Sequence, residues 1–129
     1  MWDFADHPRL AQIAAAIYER QGVVAAVCHG PSGLVNLKLS NGEYLVKGKR
    51  IAAFTNAEER AGGQDKIVPY LLQSKLEERG AKVVAAASWT PNVQTDQRVV
   101  TGQNPTSAGG VGAELVKLLQ KQRVNNARL

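Results

Sequence analysis

Cys28 and His29 are adjacent, and they are the residue pair best suited to chemistry in this chain of 129 residues. A thiolate is a strong nucleophile, and an imidazole beside it can accept or share its proton. The apolar run Val23–Val27 precedes the pair, and Gly30 and Pro31 follow it. A nucleophile with a base beside it, where an apolar run ends abruptly, predicts nucleophilic catalysis by the thiol.

The residues around Cys28 predict a buried parallel strand that turns sharply into a helix. The apolar run has the composition of such a strand, and Ser32–Leu37 is compatible with a helix. Neighbouring residues of a regular strand face opposite ways, so only a broken backbone lets Cys28 and His29 reach one cleft. Small residues at the turn permit that backbone. The positive end of the following helix would favour the thiolate.

A structural role for the cysteine is the alternative. Free cysteine often behaves as a small buried hydrophobic residue, in which case Cys28 would be inert. The adjoining His29 and the switch from strand to helix at Gly30-Pro31 favour the reactive interpretation.

A carboxylate is needed to orient the histidine, and the candidates are Glu58 and Glu59. Both follow the predicted strand Ile51–Phe54, which we expect in the same sheet as the cysteine strand. The two carboxylates also fit a solvated loop, with a salt bridge to Arg60. The backbone N–H of His29 is a candidate donor to a developing oxyanion.

The segment Val23–Pro31, VVAAVCHGP, resembles the nucleophile elbow of the ThiJ/PfpI branch of the class I glutamine amidotransferase-like superfamily. It is most similar to the glyoxalase III-like and heat-shock chaperone-like members. Further segments match the same pattern in order: Met1-Trp2-Asp3, Gly48-Lys49 before IAAFTNAEE (51–59), and VTGQNPTS (100–107). Family members begin with strands and helices before the Trp-Asp segment, so we expect an N-terminally incomplete version of the family fold.

The resemblance implies an α/β fold, a flavodoxin-like parallel sheet sandwiched by helices, with residues 1–129 as a single domain that forms the C-terminal portion of the family fold. It also implies a catalytic triad of Cys28, His29 and Glu59, since Glu59 matches the family's acidic position. The implied activity is cofactor-free conversion of methylglyoxal or a related reactive aldehyde to a hydroxy acid. The family's leading segment supplies a glutamate and an oxyanion loop, so this chain could be inactive without them.

Other functions stay open. A non-catalytic stress or chaperone-like protein, or a redox sensor that uses Cys28, would share the same motif. Amidase or peptidase activity is a further alternative. Uncovered sheet edges predict a homo-oligomer, or association with a separate piece that carries the missing N-terminal part.

Composition limits which other classes of function the chain could have. The net charge is +5, but the basic residues are dispersed, and the seven aromatics (two Trp, three Tyr, two Phe) do not alternate with them. We therefore expect no nucleic-acid partner. No apolar run is long enough to cross a membrane. A single cysteine excludes an internal disulfide and fits a cytoplasmic location. Two histidines and one cysteine favour neither a metal site nor a cofactor.

The periodicity predicts the elements that must position these groups. They are a helix capped by Asp6 with Pro8 in its first turn, a helix over Ile67–Arg79, a strand over Lys82–Ala87, a hairpin of Val93–Thr95 with Arg98–Thr101, and a helix from Thr106 or Ser107 to about Gln122.

Overall fold

The computed structural model describes residues 1–128, so the last residue of the predicted domain, Leu129, lies outside the described residues. The helices are α1 (Pro8–Glu19), α2 (Asn56–Ala61), α3 (Leu72–Glu78) and α4 (Ala108–Asn126). The strands are β1 (Val24–Val27), β2 (Arg50–Ile51), β3 (Lys82–Val83), β4 (Val93–Asp96) and β5 (Val99–Gly102). Two 3₁₀ turns cover Gly30–Leu34 and Pro105–Ser107. Strands alternate with helices along the chain, as in α/β domains.

The strands form a mixed sheet and a separate parallel pair. In the three-stranded sheet the order is β1-β5-β4, with β1 parallel to β5 and β4 antiparallel to it. β2 pairs with β3 in parallel. The α/β fold with a flavodoxin-like sheet is therefore confirmed. The sheet is not wholly parallel, because the predicted hairpin contributes β4 as an antiparallel strand.

The central strand β5 is buried along its whole length. Val99 and Val100 are 0 % exposed, as expected for a strand covered on both faces. Helix α4 packs on this strand, and its Val111 is one of the buried residues. The main apolar core lies among α1, α3 and the loop segments near β2, and includes Tyr18, Leu34, Val35, Leu37, Leu45, Val46, Ile51, Leu72 and Leu76.

The strand expected over Ile51–Phe54 covers only Arg50–Ile51 and pairs with β3 outside the sheet of β1, so that expectation is wrong. Beyond Ile51 the N–H of Ala52 donates to the Thr101 hydroxyl instead of to the backbone of a neighbouring strand.

Three further predicted elements are wrong in extent or type. The helix expected over Ser32–Leu37 is a 3₁₀ turn over Gly30–Leu34, because two glycines in five residues, Gly30 and Gly33, disfavour a regular α-helix. The helix expected from Ile67 begins only at Leu72, since Pro69 disfavours helical backbone at the residue before it.

The third correction is the strand expected over Lys82–Ala87, which pairs only at Lys82 and Val83. The N–H of Val84 still donates to the Ile51 carbonyl. After it, backbone groups bond to side chains instead: the Val84 carbonyl accepts Nδ2 of Asn92, and the N–H of Ala86 donates to Gln103. Helix α1 also begins differently from the prediction. Its N-cap is His7, whose Nδ1 accepts the N–H of Leu10, rather than Asp6.

Within residues 1–128, none of the helices combines the length and the apolar character that crossing a membrane requires.

Candidate active site

The predicted elbow lies directly after β1. Cys28 has a φ of +64°, a left-handed conformation that non-glycine residues seldom adopt. Its N–H donates to the carbonyl of Gly102 on β5 at 2.9 Å, and its carbonyl accepts the N–H of Phe54 at 3.0 Å. These two bonds hold the strained residue from both sides. The backbone break required by the sequence is therefore present.

The break brings two consecutive side chains into contact with each other. The Sγ of Cys28 lies 3.4 Å from the Nδ1 of His29, and the Nε2 of His29 lies 2.8 Å from the Oε2 of Glu59. A carboxylate oxygen accepts hydrogen bonds, so the contact with Glu59 favours the tautomer in which the Nε2–H of His29 donates to Oε2. The lone pair of Nδ1 then faces the thiol. This arrangement places a base on the sulfur and an orienting group on the base.

Glu59 reaches the histidine from the first turn of α2. Thr55 caps that helix, and the N–H of Glu59 donates to the Thr55 carbonyl at 2.9 Å. The Glu59 side chain is 2 % exposed, whereas that of His29 is 33 % exposed. The carboxylate is therefore shielded from solvent, and the imidazole is open to it on one side. The alternative of a solvated loop charge does not describe Glu59.

The thiol itself is not pre-ionised. Burial raises the pKa of Cys28, and the negative charges of Glu58 and Glu59 raise it further. The backbone N–H of His29, which faces the sulfur, lowers the pKa but does not outweigh these effects. The expectation that a helix end favours the thiolate is therefore wrong. The following element is a short 3₁₀ turn, and burial dominates.

The role of the His29 backbone N–H as an oxyanion donor stays a prediction. The group faces the sulfur of Cys28, which is compatible with donation to an oxygen on the carbon that the sulfur attacks.

Aromatic rings form a wall beside the imidazole. The ring of Phe54 lies 4.3 Å from that of His29, centroid to centroid, at an angle of 38°. Trp89 packs edge-on against Phe54 at 5.5 Å, and its side chain is 48 % exposed. Phe54 is buried and was expected only as part of a strand. The wall joins residues 29, 54 and 89, which no local sequence pattern links.

Glu58, the other candidate for the orienting carboxylate, lies in an environment that the sequence does not predict. Its carboxylate is 0 % exposed and accepts hydrogen bonds from Thr55, Trp89, Gln103 and Asn104. The spacing of Thr55 and Glu58, T-x-x-E, is the signal that would have indicated a capping box. The contacts to residues 89, 103 and 104 have no local signal.

The structure thus brings Cys28, His29 and Glu59 together, and their catalytic roles stay predictions. Among residues 1–128, no three side chains of His, Cys, Asp or Glu cluster in a way that could hold a metal ion.

Comparison with known proteins identifies the family. The sequence profile of the DJ-1/PfpI family matches residues 2–118. The chain belongs to the DJ-1/PfpI family. The resemblance inferred from VVAAVCHGP is therefore confirmed at the family level.

Glyoxalase 3 of Candida albicans is 37 % identical over 84 % of this chain and 48 % of its own length. The glutathione-independent glyoxalase HSP31 of Saccharomyces cerevisiae is also 37 % identical, over 93 % of this chain and 53 % of its own length.

Solved structures agree with this placement in the family. The crystal structure of glyoxalase III from Candida albicans superposes with a TM-score of 0.86 at 34 % identity, over 91 % of this chain and 52 % of that chain. The Rapid Encystment Protein of Francisella tularensis gives 0.89 at 35 % identity, over 92 % of this chain and 52 % of that chain. The chain therefore spans about half the length of the relatives that it matches.

Proposed function

We propose that this chain carries the thiol site of a cofactor-free, glyoxalase III-like enzyme that acts on methylglyoxal or a related reactive aldehyde. The observation that carries the proposal is the continuous chain of contacts from Cys28 through His29 to Glu59, at 3.4 and 2.8 Å. Relatives named as a glyoxalase and as a glutathione-independent glyoxalase support the choice of substrate.

In the first step of the proposed reaction, the sulfur of Cys28 attacks the aldehyde carbon. The thiol proton passes to Nδ1 of His29, and protonation of the former carbonyl oxygen gives a hemithioacetal. Glu59 stabilises the imidazolium that forms at this stage. Since the thiol is mostly protonated at neutral pH, proton removal and attack belong to the same step.

The second step is an internal redox exchange. The former aldehyde carbon loses a proton, and the electron pair of that C–H bond passes through an enediol to the neighbouring ketone carbon, which takes up a proton. The hydroxyl on the first carbon gives up its proton and the ketone oxygen gains one. The first carbon is thereby oxidised to the level of a thioester and the second is reduced to an alcohol, with no external oxidant. The resemblance assigns this transfer to a glutamate outside residues 1–128. The resulting thioester is hydrolysed by water, which releases the hydroxy acid and regenerates the thiol of Cys28.

The test is production of lactate from methylglyoxal without glutathione. Because the second step needs that glutamate, the chain is assayed together with the part of the Candida albicans glyoxalase 3 that it does not match. We expect turnover by this mixture with the wild-type chain, none above background with Cys28→Ala, and a loss of at least about a hundredfold with His29→Ala. Glu77→Gln, on the exposed surface of α3, is the matched control and should keep wild-type turnover. Wild-type turnover no greater than that of Cys28→Ala would overturn the proposal.

A chaperone-like function is the second candidate, and an exposed apolar surface favours it. Phe4 is 49 % exposed, and it lines, with residues of α1 and β1, an apolar groove of about 270 Å³. Such grooves bind unfolded or partner polypeptides. Suppression of aggregation that persists in Cys28→Ala, in the absence of lactate production, would favour this function over the enzyme. The raised pKa of Cys28 disfavours a redox sensor, since sensor thiols are acidic.

We also propose that a second polypeptide completes the sheet at β1. This strand is at the end of the order β1-β5-β4, and the apolar groove runs along it. The relatives, of which this chain covers about half, contain additional chain that must pack somewhere on the common fold. A free thiol in the site is compatible with a reducing, cytoplasmic location, which is part of this proposal.

A further inference from the structure

Glu58 is a buried carboxylate that the proposed thiol chemistry does not use. It is 0 % exposed, and within residues 1–128 no basic side chain forms an ion pair with it. A buried charge without a counter-ion is costly unless hydrogen bonds compensate it. The compensation at this position is unusually complete and joins three separate segments of the chain.

Five donors surround the carboxylate. Oε2 accepts the N–H of Thr55 at 3.0 Å and the Thr55 hydroxyl at 2.9 Å. Oε1 accepts the N–H of Trp89 at 2.9 Å, Nδ2 of Asn104 at 2.8 Å and Nε2 of Gln103 at 3.1 Å. Burial alone would raise the pKa of Glu58, but these bonds together lower it. Glu58 is therefore held ionised, since every partner is a donor.

The segment over residues 84–92 depends on this cluster for its shape. The segment has no helix or strand, so its backbone groups need other partners. The amide of Gln103 accepts the N–H of Ala86 at 2.8 Å, and the amide of Asn104 donates to the carbonyl of Thr90 at 2.8 Å. Glu58 binds both of these amides and the Trp89 N–H. It is the common acceptor that joins the segment to the end of β5.

Trp89 connects this cluster to the histidine. Its φ of +66° is in the left-handed region, a strained conformation for a tryptophan. The bond from its N–H to Glu58 stabilises that conformation. The Trp89 ring then packs on Phe54, and the ring of Phe54 packs on His29. A continuous path of contacts therefore runs from Glu58 to the imidazole without passing through substrate.

We propose that Glu58 is a positioning residue, which holds the Trp89 backbone and thereby fixes the aromatic wall that keeps His29 facing the Cys28 thiol. Its consequence for turnover rests on the proposed function, whereas its effect on the position of His29 does not. Glu58 acts on the reaction only through Trp89 and Phe54, so it is distinct from Glu59, which contacts the imidazole directly.

The test measures the NMR chemical shifts of the His29 ring protons. The nearby ring of Phe54 displaces these shifts from their values in an unstructured chain. Only two histidines are present, so His7 serves as an internal control. Glu58→Gln preserves the shape of the side chain, but its amide NH₂ then faces groups that donated hydrogen bonds to the carboxylate. We expect it to shift the His29 resonances toward those of an unstructured chain, with His7 unchanged. Glu77→Gln should leave both at their wild-type positions. Unchanged His29 resonances in a folded Glu58→Gln would overturn the proposal.

A double-mutant cycle with Trp89→Ala separates positioning from a general structural role. If Glu58 acts through Trp89, Glu58→Gln adds nothing to the His29 shift that Trp89→Ala already causes. Fully additive shifts would overturn the proposal. If thermal melting shows that Glu58→Gln does not fold, Asn104→Ala replaces it, since it removes one donor to Oε1 and the tie to Thr90. The proposal then requires that Asn104→Ala shifts the His29 resonances and that it adds nothing to the shift caused by Trp89→Ala.

Turnover provides a separate readout. Where the wild-type chain makes lactate, we expect Glu58→Gln to lower kcat by up to about a hundredfold, because a small displacement of a catalytic group costs that much, while KM changes less. A wild-type kcat in Glu58→Gln would contradict the positioning role. Absence of lactate from the wild type would contradict the proposed function, and the NMR cycle would still decide the role of Glu58.

Discussion

The environment of the Cys28 sulfur determines how it can react. Burial is the largest influence on its pKa and raises it, and the nearby carboxylates act in the same direction. A protonated thiol at neutral pH needs a base at the moment of attack. In the proposed reaction that base is His29, whose Nδ1 lies 3.4 Å from the sulfur and whose Nε2 lies 2.8 Å from Glu59. At the scale of the residue, the site is an acid–base pair rather than a pre-formed thiolate.

This environment predicts how the pH dependence of stability changes when the thiol is removed. The pKa of Cys28 is higher in the folded than in the unfolded chain, so its contribution to stability is complete below the unfolded pKa of about 8.5. The contribution is lost as the pH rises through the folded pKa. We expect the wild type to lose stability relative to Cys28→Ala between pH 7 and pH 10, as measured by urea unfolding.

A difference between the two proteins that stays constant with pH would contradict the raised pKa. A difference that moves in favour of the wild type at pH 10 would mean that the folded protein stabilises the thiolate.

A part of the site can be predicted from the sequence when the residues that form it are close together along the chain. Cys28 and His29 are adjacent, and the apolar run before them indicates the elbow. Glu59 was assigned through resemblance, since its distance from the histidine depends on how β1 and α2 lie together. The bonds of Glu58 to Gln103 and Asn104 join residues more than 40 positions apart. Periodicity and capping rules describe only neighbours, so that cluster had no sequence signal beyond Thr55.

At the scale of the element, the same limit explains the corrections. The β4–β5 hairpin was predictable because its turn at Asp96-Gln97 is a local signal. Strand β3 is shorter than its apolar composition suggests, because side-chain amides bind the backbone beyond Val83. Helix α3 starts later than Ile67, which is 59 % exposed and is not part of the apolar core. The packing of β5 against α4 also depends on a close approach that composition alone does not reveal.

That close approach predicts opposite effects for two glycines. A Cβ added at Gly102 would lie 2.7 Å from Val111, 2.8 Å from Ser107 and 3.0 Å from Val27. We expect Gly102→Ala to destabilise the fold by about 1–3 kcal/mol through overpacking. Gly112, within α4, has no atom within 4 Å of an added Cβ, so Gly112→Ala should stabilise by about 0.5–1 kcal/mol. Urea unfolding of both variants measures the difference.

Equal stability of the two variants would show that β5 and α4 separate without cost, which would contradict the packing described for this sheet.

At the scale of the whole molecule, the exposed edge of β1 is the dominant feature. Val24 and Cys28 donate their N–H groups toward β5. Alternate residues of a parallel strand bond the same neighbour, so Ala25 and Val27 direct their N–H and C=O groups to the other edge. Within residues 1–128, neither of them bonds to another backbone group there. The groove beside this edge is lined by apolar side chains, including Phe4. An edge that is both unpaired and apolar favours the addition of a strand.

The proposed partner is therefore an extended apolar segment from the part of the family fold that this chain does not match. Light scattering after gel filtration should show a complex when the chain is mixed with the unmatched part of the Candida albicans glyoxalase 3. Ala25→Pro removes an N–H from the open edge but leaves the bonds to β5, so it should weaken the complex at least about tenfold. Ala25→Ser keeps the N–H and should bind as the wild type does. Equal binding by both variants would contradict pairing at this edge, and a dimer of the chain alone that only Ala25→Pro dissociates would assign the edge to a second copy instead.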